Sequence, residues 1–275
     1  MTVFAKTIDH IAASVPATEN EYLGEDGYLH CSVCHARTET SFVVKELDID
    51  RRVRCICDCK VKEIEAEEEQ VRRLERNRKR RICFAETNMA DWTFSNDDRK
   101  NERLSQAMNN YAQKFPEFRS NGKGLLMYGP VGTGKTYYAA CIANALIDRD
   151  YSVLMTNFAR LTNIIQGMFE GKQDYIDSLN DYDLLIIDDL GAERKSEFMQ
   201  EMVFNIIDSR YRSGLPFIIT TNLTADEIKK AEEVAFRRIY DRIMERCFPV
   251  EVTGISRRRT ALKETHADVK AMLGL

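Results

Sequence analysis

The stretch Gly129-Pro130-Val131-Gly132-Thr133-Gly134-Lys135-Thr136 is a complete G-x-x-x-x-G-K-[ST] match, and it constrains this chain more than any other feature. An apolar run, Leu125 to Tyr128, precedes it. A segment with apolar positions three and four apart, Thr136 to Ile147, follows it. A glycine-rich loop between strand and helix wraps its backbone N–H groups around a phosphate, and the helix adds the positive end of its dipole. Lys135 is expected to reach the β- and γ-phosphates as a point charge, and Thr136 to offer its hydroxyl to Mg²⁺. Tyr137 completes the expected nucleotide-binding stretch.

Four more apolar runs, Ser152 to Thr156, Leu184 to Ile187, Phe217 to Thr221 and Phe248 to Val252, alternate with helical spacing over Phe158 to Phe169, Ser196 to Arg212 and Ala231 to Cys247. Strand and helix in alternation predict an α/β fold, a five-stranded parallel sheet flanked by helices. The run Leu184 to Ile187 ends in Asp188, expected to hold Mg²⁺ through water, and Asp189, expected to polarise the attacking water. Asn222 ends the next strand and can orient that water if its strand neighbours that of the phosphate loop. Arg238, Arg242 and Arg246 recur at i, i+4 and i+8 on one helix face, either as a solvated stripe or as a finger supplied to a neighbouring subunit. In the helix Phe158 to Phe169, Arg160, Thr162 and Asn163 either meet single-stranded DNA or pack on the sheet.

The 275 residues carry a net charge of −4, so any DNA affinity comes from a local basic patch rather than from the whole-molecule field. No apolar run approaches the roughly 18 residues that cross a bilayer. The amino terminus has no basic stretch followed by an apolar one, so a cytoplasmic location is expected. In a reducing compartment five clustered cysteines, Cys31, Cys34, Cys55, Cys57 and Cys59, read as metal ligands rather than disulfides. Cys31 and Cys34 with two of the other three give a structural zinc site, with Cys57 and Cys59 favoured and Cys55 the alternate. His30 and His35 could stand in for a thiolate. Four thiolates leave no open coordination position, which excludes zinc catalysis. The expected organisation is a zinc module over 1–60, a charged helical linker over 61–83 with Glu68/Arg72, Glu69/Arg73 and Glu75/Lys79 at i,i+4, and a nucleotide-binding domain over 84–275.

Taken in order, the phosphate loop, Asp188-Asp189-Leu-Gly-Ala-Glu193, Thr221-Asn222, Arg238-x-x-x-Arg242 and Gly254-x-Ser256-x-Arg258 resemble the AAA+ ATPases of the DnaC/DnaI helicase-loader group, relatives of the IstB transposition helpers. The resemblance covers about Phe84 to Arg259. It implies Mg²⁺-dependent ATP hydrolysis, Asn222 as sensor 1, Arg242 as the finger with Arg238 nearby, and a sensor-2-like arginine at Arg258, with the register against Arg257 open. Only Thr260 to Leu275 follow, so no carboxy-terminal helical lid is expected. Loaders of this group carry an amino-terminal zinc domain that engages the helicase, and IstB proteins lack one. The resemblance therefore implies a loader that delivers a hexameric replicative helicase onto single-stranded DNA in the primosome and forms a homo-oligomer with ATP. The alternatives are an IstB-like ATPase assisting a transposase and a zinc-bearing adaptor with a structural nucleotide site.

Overall fold

The computed structural model describes residues 20–44, 49–85, 88–191, 196–229, 234–256, 269–270 and 272–273. Arg257, Arg258 and Arg259, and with them the expected sensor-2-like contact, lie outside the described residues. The chain divides between Glu75 and Arg76 into two compact units.

The first unit is built of two antiparallel hairpins. Strand β1 (Glu21–Leu23) pairs with β2 (Leu29–Cys31), and β3 (Glu39–Val44) pairs with β4 (Ile49–Arg54). Apart from Thr38, the buried described residues here are Cys31 and Cys57, so the cysteines stand where a larger domain has an apolar core. Tyr28 adds a second small nucleus, with the guanidinium groups of Arg37 and Arg52 4.5 and 4.9 Å from its ring centroid.

Helix α1 (Asp58–Phe84) carries the charge-rich stretch. Glutamate, lysine and arginine lose little rotamer freedom in a helix, and Arg72 pairs within the helix with Glu68 at 3.7 Å and Glu69 at 3.2 Å. Its last turns differ from a fully exposed linker. Cys83 and Phe84 are buried, Arg80 pairs with Asn144 Oδ1 at 3.0 Å and with Asp148, and Lys79 reaches the Asp150 carbonyl rather than Glu75.

The second unit contains a five-stranded parallel sheet: β5 (Gly124–Tyr128), β6 (Val153–Asn157), β7 (Leu184–Leu190), β8 (Phe217–Thr221) and β9 (Cys247–Glu251), in the order β6-β7-β8-β5-β9. Helices α2 (Glu102–Gln113) and α3 (Phe115–Ser120) precede it. Between and after the strands come α4 (Lys135–Ile147), α5 (Phe158–Gln166), α6 (Lys172–Ser178), α7 (Glu197–Ser213), α8 (Ala225–Lys229) and α9 (Val234–Arg246). Because strand side chains alternate, Leu125, Met127, Ile186 and Ile218 join Tyr138, Ile142 and Leu146 of α4 in one core, while Leu126, Leu185, Ile187 and Ile219 join Leu161, Ile207 and Ile239 in the other. Each such side chain stabilises the fold by about 1.5–3 kcal/mol, which is why continuous apolar strands with helices on both faces close into this layered arrangement. Helix α5 stops at Gln166 before Gly167, short of the expected Phe169. No helix of the described residues is long and apolar enough to cross a membrane.

Candidate nucleotide site and cysteine cluster

Since β8 lies between β7 and β5, the carboxy ends of three adjacent strands deliver the phosphate loop, the two aspartates and Asn222 to one sheet edge. Two glycines fix the loop's path. A Cβ on Gly129 would lie 2.4 Å from the Val252 carbonyl oxygen, and one on Gly132, whose φ is +84°, would lie 2.2 Å from Ser256 Oγ. Lys135 is buried, and its Nζ donates at 2.8 Å to each of the Gly129 carbonyl, the Pro130 carbonyl and Asn222 Oδ1.

Asp188 accepts from Thr136 Oγ1 at 3.0 Å and from Thr220 Oγ1 at 2.5 Å. Burial pushes its carboxyl above the usual carboxylate range, against the lowering effect of these two hydroxyls. Between Ile187 and Leu190 the pairing with β8 shifts register, and Asp189 takes a left-handed φ of 63°. This bulge turns the two successive carboxylates toward different partners. Asp189 N–H donates to Thr220 Oγ1 at 2.9 Å, and its carboxylate accepts from Asn222 Nδ2 at 2.7 Å. One amide, Asn222, thus joins the phosphate-loop lysine to the second aspartate.

A cleft of about 260 Å³ opens over these groups, lined by Trp92, Val131, Gly132, Gly134, Lys135, Thr136, Tyr137, Asp188, Asp189 and Asn222. Trp92 and Tyr137 hold their ring centroids 5.8 Å apart, and the Tyr137 hydroxyl donates to the Thr93 carbonyl at 2.9 Å. Two residues of this architecture are not singled out by the sequence. Asn144, fully buried in α4, donates to the carbonyls of Met89 and Trp92 at 2.9 Å each and so pins the Trp92 segment beside the cleft. Thr220 joins the two aspartates; its only signal in the sequence is a hydroxyl inside an apolar strand.

The arginines of α9 have separate surroundings. Arg242 pairs with Asp208 of α7 at 2.7 Å and covers the Phe204 ring at 4.6 Å, and Arg246 covers Tyr211 at 4.9 Å. Arg238 is exposed. In α5, Arg160 and Asn163 are exposed, whereas Thr162 is fully buried and returns its hydroxyl to the Phe158 carbonyl at 2.8 Å, the packed alternative for that residue.

In the first unit the sulfurs of Cys31, Cys34, Cys57 and Cys59 all lie within 4.8 Å of one another. Thiolates around zinc, with Zn–S bonds of about 2.3 Å, sit roughly 3.8 Å apart in a tetrahedron, so the donor set and spacing fit that ion. Backbone N–H groups of Cys34 and Val33 hold the Cys31 thiol down to about 6. Cys55 stands apart, its Sγ 3.4 Å from the Arg37 carbonyl oxygen and its thiol raised by burial. His30 is held by Asp26 and the His35 carbonyl, while His35 contacts the Tyr22 hydroxyl.

Residues 58–265 match the family model described as IstB-like ATP binding protein. The chain belongs to that family. Within the curated proteins, the IstB-like sequence is 29% identical over 169 residues to the replicative helicase loader DnaI of Bacillus subtilis (strain 168), spanning 56% of this chain and 53% of the relative. It is 28% identical over 155 residues to the replicative helicase loader DnaC of Escherichia coli (strain K12), spanning 55% of this chain and 62% of that protein. The chain therefore spans between about half and two thirds of these relatives. A crystal structure of DnaI superposes with a TM-score of 0.51 at 28% identity over 62% of this chain and 92% of that one. The parallel sheet and phosphate loop are those of the AAA+ ATPase core.

Proposed function

We propose that this chain is a Mg²⁺-dependent ATPase that works in the cytoplasm as a loader, placing a replicative helicase on single-stranded DNA during replication initiation. The observation that carries the ATPase reading is the Asn222 side chain, held between Lys135 and Asp189 at 2.8 and 2.7 Å. For hydrolysis, Lys135 leaves the loop carbonyls for the β- and γ-phosphates, and its release frees the Asn222 carbonyl to position a water. Asp189 accepts that water's proton as the γ-phosphoryl is attacked. Thr136 and Asp188 are the residues that would hold Mg²⁺, which neutralises the charge developing on the phosphate oxygens. Trp92 and Tyr137 supply the apolar wall for the base end of the nucleotide.

The resemblance makes Arg242 the finger, but its guanidinium is engaged by Asp208 of its own chain at 2.7 Å, so in an ATP-dependent homo-oligomer the exposed Arg238 is read instead as reaching a neighbour's γ-phosphate, with Arg242 fixing the helix that presents it. The outlying Arg258 is assigned a phosphate contact by the resemblance alone. The names of the DnaI and DnaC relatives support the client, a replicative helicase, and the zinc module is the segment proposed to grip it. The test is capture of the replicative helicase by the full chain and by Cys31→Ser/Cys34→Ser, with fluorescence anisotropy on single-stranded DNA with and without ATP. Capture lost in the variant and DNA binding dependent on ATP are the expected results. Capture of a transposase in place of the helicase would select the IstB-type client.

A further inference from the structure

Asn144 sits within α4 and is 1% exposed, yet polar groups face it on both sides of its amide. Its Nδ2 faces three carbonyl oxygens, those of Met89 and Trp92 at 2.9 Å each and that of Ala140 at 3.2 Å, and its Oδ1 accepts from Arg80 Nε at 3.0 Å. Carbonyls only accept and a guanidinium only donates, so this amide has a single orientation that satisfies its surroundings. Arg80 is what keeps the Nδ2 side turned to the Trp92 segment. Its guanidinium is itself held, because Nη2 pairs with Asp148 just past the end of α4. Every group in this series of contacts belongs to the second unit.

The segment that Asn144 holds is short, one turn of 3-10 helix from Asn88 to Asp91 followed by Trp92. Hydrogen-bond geometry within such a turn is poor, so its path is set from outside, by the two bonds from Asn144 and by the packing of Met89, Ala90 and Trp92 on the core around α4. We propose that Arg80 is a positioning residue of the nucleotide site: through the Asn144 amide it fixes the backbone that carries Trp92, and so sets the wall against which the base of the nucleotide packs. Arg80 lines no part of the cleft itself. This role rests on the reading of the cleft as a nucleotide site. With Arg80 removed, the buried Asn144 Oδ1 loses its donor and the amide loses its preferred orientation, so ordering the Trp92 wall becomes a cost of binding the base. The phosphate loop, held by its glycines and by Lys135, is untouched, and the loss falls on the base end alone.

Isothermal titration of the full chain with Mg²⁺-ATP and with Mg²⁺-tripolyphosphate separates the base end from the phosphate end, and the emission of Trp92, the single tryptophan of the chain, reports the wall directly. Wild type should bind ATP more tightly than tripolyphosphate, with Trp92 emission changing for ATP alone. Arg80→Ala should weaken ATP about three- to tenfold and leave tripolyphosphate within about twofold. Lys79→Ala removes a neighbouring bond of the same helix, to the Asp150 carbonyl, without touching Asn144, and should match wild type for both ligands. An Arg80→Ala protein that binds both as wild type does, or that loses both equally, or a Lys79→Ala protein with the same selective loss, would overturn the assignment to Arg80. A wild type that binds neither ligand would overturn the nucleotide reading and this inference with it. One that binds both alike would overturn the wall and leave the phosphate loop standing.

Discussion

The guanidinium of Arg242 lies 2.7 Å from the carboxylate of Asp208, and the two side chains keep only 25% and 12% of their exposure. A pair this sheltered serves the docking of α9 on α7. Arg242→Ala is expected to lower unfolding stability by about 1–2 kcal/mol, between the exposed and buried limits for ion pairs. Arg238→Ala should change it by less than about 0.5 kcal/mol and instead reduce ATP turnover that depends on assembly. Urea denaturation beside turnover at rising protein concentration separates the two. Equal loss of stability in both variants would refute the division of roles.

Lys135→Ala should weaken ATP binding at least about tenfold, because the buried ammonium is the loop's one lysine near the phosphates. Asp189→Asn should bind ATP within about threefold of wild type and hydrolyse it about a hundredfold more slowly, since only proton acceptance is removed. Isothermal titration and single-turnover hydrolysis read the two effects. Normal hydrolysis in Asp189→Asn sinks its assignment as the water's base.

Asp188 makes the nucleotide-free protein pay for its own site. Its carboxyl is raised above 3.8 by burial, so the folded chain holds the proton more tightly than the unfolded one. Stability is therefore greatest below the unfolded value and falls as pH rises through the window up to the folded one. Asp188→Asn, which carries no charge, should be more stable than wild type at pH 7 without Mg²⁺ and nucleotide, and the advantage should vanish at about pH 3.5. An equal difference at both pH values would show that charge burial is not its cause.

Removal of metal should unfold the first unit and leave the second folded. Among its described residues the first unit buries little besides its cysteines, so metal ligation is expected to supply its folding energy. Cys57→Ser should lose bound zinc, and Cys55→Ser should keep one per chain, as read by elemental analysis of protein purified under reducing conditions. A zinc-free Cys55→Ser protein would place that thiol among the ligands.

Arg210 is 1% exposed and spends its N–H groups on the carbonyls of Leu179, Tyr182, Asp183 and Pro216 at 2.8–3.2 Å. Arg210→Lys keeps the charge but loses the planar fork, leaving buried carbonyls unpaired at a cost of about 2–4 kcal/mol. The thermal midpoint measures this. A shift of no more than a degree would mean that water replaces the guanidinium.

What could be read before the structure follows the range of the interactions concerned. The five strands and the phosphate loop depend on local spacing, and β5 to β9 lie within a few residues of the apolar runs that announce them. Asn222 is visible because it ends a strand, but Thr220 acquires its role only from the neighbouring position of β7 and β8, and strand order is not a local property. Nothing in the sequence sets Asp208 and Arg210 apart from other charged helix residues; their burial is decided by α9 and by the loop carbonyls that Arg210 reaches. The last turns of α1 escape for the same reason, since their partners Asn144, Asp148 and Asp150 lie far along the chain.

A Cβ on Gly132 would lie 2.2 Å from Ser256 Oγ, so the phosphate loop and the exit from the last strand touch where that glycine leaves space. Gly132→Ala is therefore a change in two places at once, straining the loop's left-handed backbone and displacing Ser256 from its seat.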